Sequence, residues 1–170
     1  MSDTRVATAL RTVGGVLAII GGLLLVVSAF LPWITSTPGF VNITSWRADT
    51  VSGMDDGGIY FLVGHDGIFF LVGGVLIAAL GLWTTLSRLK AAPILLILSG
   101  LALGLFGLLE SNSIRNEFVY NCCDMDGIAL GQGIRWIYAG AAATFLAGLI
   151  LVGQMRVQNP RRVRAELVRR

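Results

Sequence analysis

Four stretches of this chain, residues 12–33, 67–86, 93–109 and 136–154, contain no Asp, Glu, Lys, Arg or His. Each approaches the ~20 residues a helix needs to cross about 30 Å of hydrocarbon. In that medium every backbone N–H and C=O must find its partner inside the protein, which makes the helix the conformer for each run. The expected fold is therefore all-α membrane: a four-helix transmembrane bundle forming one domain over residues 1–170. The remainder is an outer loop at 34–66, a second at 110–135 and a basic tail at 155–170. Charged residues make up 14% of the chain and mean hydropathy is +0.76, whereas soluble domains are roughly a quarter charged. Little length is left for a catalytic domain, so a non-enzymatic protein is expected.

Charge fixes the expected orientation, because short loops rich in Lys and Arg stay in the cytoplasm. Arg5, Arg11, Arg88, Lys90, Arg156, Arg161, Arg162, Arg164, Arg169 and Arg170 fall on one side with only Asp3 and Glu166, ten cations against two acids. The other side holds Arg47, Arg115 and Arg135 against Asp49, Asp55, Asp56, Asp66, Glu110, Glu117, Asp124 and Asp126, three against eight. Both termini are expected in the cytoplasm of a multi-pass plasma (inner) membrane protein. A cleavable signal peptide competes for the first run, with Val27-Ser28-Ala29 as a passable cleavage site. The run is longer than a signal core of 7–15 residues and ends in Pro32-Trp33, which favours a retained span.

Small residues recur at helical spacing. Gly14, Ala18 and Gly22 in the first span, Gly100 and Gly104 in the third, and Ala139, Ala143 and Ala147 in the fourth lie four apart, a pattern that lets helix backbones approach closely. Trp33, Trp83 and Trp136 stand near span ends, where aromatic residues anchor helices at headgroup depth. The first outer loop alternates apolar and polar residues at 40–46 and has an apolar run at 59–63. A small β-hairpin turned through residues 53–58 is expected there, the alternative being a second span extended back to about residue 58. Asp56-Gly57-Gly58-Ile59 leading to Gly67-Ile68-Phe69-Phe70, and Asp126-Gly127-Ile128 leading to Gly133-Ile134-Arg135-Trp136, suggest a duplicated two-span unit.

Cys122 and Cys123 are adjacent, the only cysteines, and on the expected outer side. A vicinal ring, bridges to a partner, free thiols and metal ligation are all open to them. No CxxC or HxxxH spacing accompanies them, so neither a metal nor another cofactor is expected. Asp55, Asp56, His65 and Asp66 form a possible polar cluster at the outer mouth, and Glu110 and Arg135 are spaced to pair across the second loop. Asn159-Pro160 opens a tail whose Val163 and Leu167 lie among arginines. It is expected to lie on anionic lipid headgroups, with nucleic acid not expected, since no aromatic accompanies the arginines.

The run Phe30-Leu31-Pro32-Trp33, followed by Gly64-His65-Asp66-Gly67 and a glycine-rich span, resembles small four-span membrane proteins common in actinobacteria. The resemblance implies an actinobacterial plasma membrane and no catalytic residue. Four spans with a larger, β-prone first outer loop also resemble claudins and tetraspanins in outline, although the cysteine placement here differs. The leading expectation is an accessory or scaffolding subunit that packs against a membrane protein partner or forms a homo-oligomer. An oligomeric channel or lipid or solute carrier is the first alternative. Redox or metal handling at Cys122 and Cys123 is the second.

Overall fold

A computed structural model describes residues 3–36, 42–44, 48–49, 66–87, 90–120 and 128–158. Within them run α1 (Asp3–Ser28), β1 (Pro32–Ser36), β2 (Asn42–Thr44), β3 (Ala48–Asp49), α2 (Gly67–Leu86), α3 (Ala92–Tyr120), β4 (Ile128–Leu130) and α4 (Gln132–Gln158). All four helices are long and apolar enough to span a membrane, over Arg5–Ser28, Gly67–Leu86, Ala92–Asn116 and Gln132–Met155. The protein is a four-helix, multi-pass membrane bundle capped by a small sheet.

The helices outlast their uncharged runs. α3 has 29 residues, about 43 Å at 1.5 Å per residue, so it projects beyond the hydrocarbon. Its buried stripe explains the extension: Gly107, Ser111 and Ile114 fall at helical spacing and are all buried, although polar residues surround them. At the other end, the Ser87 N–H and Oγ both donate to the Trp83 carbonyl, at 2.7 and 3.0 Å, where α2 stops. Pro93 then sits in the first turn of α3, where its missing N–H costs no helical hydrogen bond.

α1 is the centre of the bundle. It packs against both α2 and α4, α3 packs on α4, and α2 and α3 barely touch. The spatial order is therefore α2, α1, α4, α3. Reciprocal glycine contacts close the two seams of α1. A methyl group on Gly22 would lie 2.5 Å from the Gly74 carbonyl oxygen, and one on Gly74 would lie 2.6 Å from that of Gly22. Gly15 and Gly81 are paired in the same way, as are Gly21 and Gly140 at 2.9 Å in both directions. In the third seam Gly100 backs onto Ala141 and Phe145, and Gly148 onto Pro93 and Ile97. Lipid tails are as apolar as leucine, so van der Waals fit between close backbones carries these contacts.

The small-residue rows differ in phase from the four-residue ladders expected above. Gly15 and Gly22 face α2, whereas Gly14 and Gly21 face α4, and the fully buried Ala18 lies between the two rows. Because α1 has neighbours on both sides, it needs two rows, each with its glycines seven residues apart. On α4 the seam residues are Gly140, Ala141, Thr144, Ala147 and Gly148, whereas Ala139 is exposed and Ala143 half-buried. Gly104 is half-buried and meets only the Ala141 Cβ, at 3.6 Å.

The sheet is antiparallel in the order β3-β2-β1-β4. It pairs Ile34 with Ile43 on one side and with Leu130 on the other. The expected first-loop β structure is present, but its strands are residues 32–36, 42–44 and 48–49, and the second outer loop supplies the fourth. The turn at 53–58 and the run at 59–63 lie outside the described residues.

Candidate functional site

Trp33 joins sheet to bundle. Its indole Nε1 donates to the Ser28 carbonyl at 2.9 Å, and its ring meets Phe70 edge-on with centroids 5.5 Å apart. Its own carbonyl accepts the Gly131 N–H at 2.8 Å. Trp33 and Ile34 are adjacent yet both 0% exposed, although neighbouring strand residues normally face opposite sides. The register slips between Pro32 and Ile34, and such an irregularity re-aims side chains. Trp33, expected as an interface anchor, has its indole buried in the core by that hydrogen bond and ring contact. Trp83 and Trp136 do face outward, 61% and 37% exposed.

Gly133 is packed on the Trp33 indole, and a side chain there would run into the ring. The glycines leading into α4 are therefore spacers for a tryptophan. Beneath Trp33 the aromatic stack continues through Phe70 to Phe106, at 5.4 Å, and Phe106 also meets Phe69 at 5.7 Å. This stack is where α2 and α3 touch. Tyr138 ties α3 to α4 nearby: its hydroxyl is 2.7 Å from Ser111 Oγ and donates to the Gly107 carbonyl at 3.2 Å. Sequence reasoning missed this pair, whose signal was a tyrosine hydroxyl inside an uncharged, largely apolar span.

Below the aromatic stack, α2 and α3 diverge around a crevice of about 410 Å³ lined by Gly73, Leu76, Ile77, Leu80 and, from α3, Leu95, Ser99, Ala102 and Leu103. It is apolar and opens sideways toward the lipid. The other three seams are closed by backbone contact, and this one has small residues on both walls with no helix between them.

At the end of the bundle that carries the sheet, Asp66 precedes α2 and is half-buried. It is the charged neighbour of Glu110 on α3, which is also half-buried. The pairing expected between Glu110 and Arg135 is not formed, because Arg135 is exposed on α4 and the charge acting on Glu110 is a carboxylate. Asp55, Asp56, His65, Cys122, Cys123 and the basic tail from residue 159 lie outside the described residues. Among the described residues no group of three or more His, Cys, Asp or Glu is placed to hold a metal ion. The buried hydroxyls of Ser28, Thr84 and Thr144 donate to the carbonyls of Leu25, Gly81 and Gly140 in their own helices. No protein-family profile matches this chain, and no curated protein matches it either.

Proposed function

We propose that this protein is a non-enzymatic subunit of a larger membrane assembly, docking through the α2–α3 crevice. The observation that carries the reading is the contrast among seams. Three are closed by small residues against a neighbour's backbone, and the fourth is an open crevice walled mainly by Leu and Ile, with Gly73, Ser99 and Ala102 among them and no helix in place. A transmembrane helix of a partner protein is the occupant we assign to it: the Leu and Ile walls offer apolar packing, and Gly73, Ser99 and Ala102 let a backbone come close at those points. The claudin- and tetraspanin-like outline, the actinobacterial plasma membrane and cytoplasmic termini belong to the same proposal, the last on the strength of the charge asymmetry.

The test is gentle detergent extraction and affinity purification of the full chain beside Gly73→Leu and Val75→Leu variants. Gly73 lines the crevice, whereas Val75 is 54% exposed and on the opposite side of α2. The expected result is a reproducible companion that is lost on filling the crevice and kept by the Val75 variant. Recovery of the wild-type protein only as a free monomer overturns the reading. Loss of a bound lipid, rather than a protein, from the Gly73 variant transfers the crevice to a lipid carrier.

A further inference from the structure

The inner end of the bundle carries a second feature. Arg11 lies seven and fourteen residues before Ala18 and Leu25, both 0% exposed, so it shares their stripe on α1. That stripe faces the angle between α2 and α4. The register of each seam fixes what stands beside it. On α4, Gly14 meets Leu151 and Gly21 meets Thr144, so an antiparallel step back to Arg11 reaches the level of Gln154, which is 8% exposed. On α2, Gly22 meets Gly74 and Gly15 meets Gly81 and Thr85, so the same step reaches the level of Thr85 and the residues just after it.

The Arg11 Nε is buried and has no hydrogen-bond partner among the described residues. The hydroxyls at this level are turned to their own helix: Thr84, Thr85 and Ser87 donate to the carbonyls of Gly81, Leu82 and Trp83. The acids assigned to this side are only Asp3 and Glu166, and Asp3 is eight residues away along α1, about 12 Å. Exposed Arg5 and Lys90 add further positive charge at the same end. A guanidinium is always charged, and a buried N–H of a charged group calls for an acceptor. The uncharged run begins at Thr12, so Arg11 stands where the hydrocarbon gives way to lipid phosphates.

We infer that the inner mouth between α1, α2 and α4 is a binding site for a phosphate group, supplied by an anionic phospholipid of the cytoplasmic leaflet and held by Arg11. A planar guanidinium fits a phosphate with two donors, which a lysine ammonium cannot reproduce. The site is separate from the α2–α3 crevice and does not depend on a protein partner.

The experiment places the purified full chain in nanodiscs of phosphatidylcholine and phosphatidylglycerol in equal amounts, releases it into detergent and counts retained lipids by native mass spectrometry. Wild-type protein is expected to retain phosphatidylglycerol, Arg11→Gln to lose at least about tenfold in retention, and Lys90→Gln to behave as wild type. Equal retention by wild type and Arg11→Gln overturns the site. An equal loss in Lys90→Gln does so too, because it reports diffuse surface charge. Displacement of the lipid by millimolar inorganic phosphate overturns the lipid as the source. Arg11→Lys keeps the charge without the planar fork and serves if Arg11→Gln does not fold. It is expected to retain several-fold less lipid than wild type, and undiminished retention overturns the role of the guanidinium.

Discussion

At the scale of single residues, glycine acts here mainly as absence of side chain. Gly22→Val is expected to destabilise the bundle by about 1–3 kcal/mol, the usual cost of overpacking, since its Cβ would sit 2.5 Å from the Gly74 carbonyl oxygen and 2.7 Å from the Ala78 N. Gly153 is the control, because nothing lies within 4 Å of a methyl group placed there. Gly153→Ala should be neutral or stabilise by about 0.5 kcal/mol through helix propensity. Unfolding by SDS in mixed micelles reads both, and similar midpoints for the two variants would contradict the seam assignment. Trp33 tests the junction of sheet and helices. Trp33→Phe keeps a ring against Phe70 but removes the Nε1–H donor to Ser28, a loss of about 1 kcal/mol. Trp33→Ala also leaves a cavity and is expected to cost about 3–5 kcal/mol.

At the scale of elements, the sheet is the part most sensitive to sequence-distant contacts. Gly131 packs on the Pro32 carbonyl so closely that no Cβ fits, and its N–H bonds to Trp33. Gly131→Val is expected to detach β4, speeding amide exchange across residues 32–36 while helix content by circular dichroism stays unchanged. Exchange at wild-type rates would show that β1 holds without β4. The helices were legible in the sequence because one property, absence of charge over about 20 residues, decides them locally. The strands were not, since β1 follows directly on Phe30-Leu31-Pro32-Trp33, which looks like a helix end, and its partner Leu130 is some hundred positions away. Periodicity cannot announce strands of two to five residues that pair across loops. Small-residue spacing gave the device of close packing but not its phase, because a row of glycines does not say how many neighbours a helix has. In the sequence Arg11 carries only a topology signal, and its buried Nε follows from the stripe it shares with Ala18 and Leu25.

At the scale of the whole molecule, polarity divides the bundle into two ends. The sheet, Asp66 and the half-buried Glu110 lie at the end where α1 and α3 finish. Arg5, Arg11 and Lys90 lie at the opposite end, where α1 begins and α2 gives way to α3. An antiparallel sheet with β3 and β4 as its edges leaves backbone N–H and C=O groups that only water or a partner can satisfy, so it must stand outside the hydrocarbon. The cationic end is the one that the positive-inside tendency keeps in the cytoplasm. The sheet needs water on whichever side it stands, so the charge asymmetry alone predicts the side, and with it the accessibility of single thiols introduced into a Cys122→Ser, Cys123→Ser background. Ala129→Cys, exposed on β4, is expected to react with a membrane-impermeant maleimide in intact cells. Lys90→Cys, exposed in the turn between α2 and α3, is expected to react only after permeabilisation. The reverse pattern would invert the protein and place its arginines outside, which would deprive Arg11 of the inner leaflet and the outer carboxylates of their aqueous face.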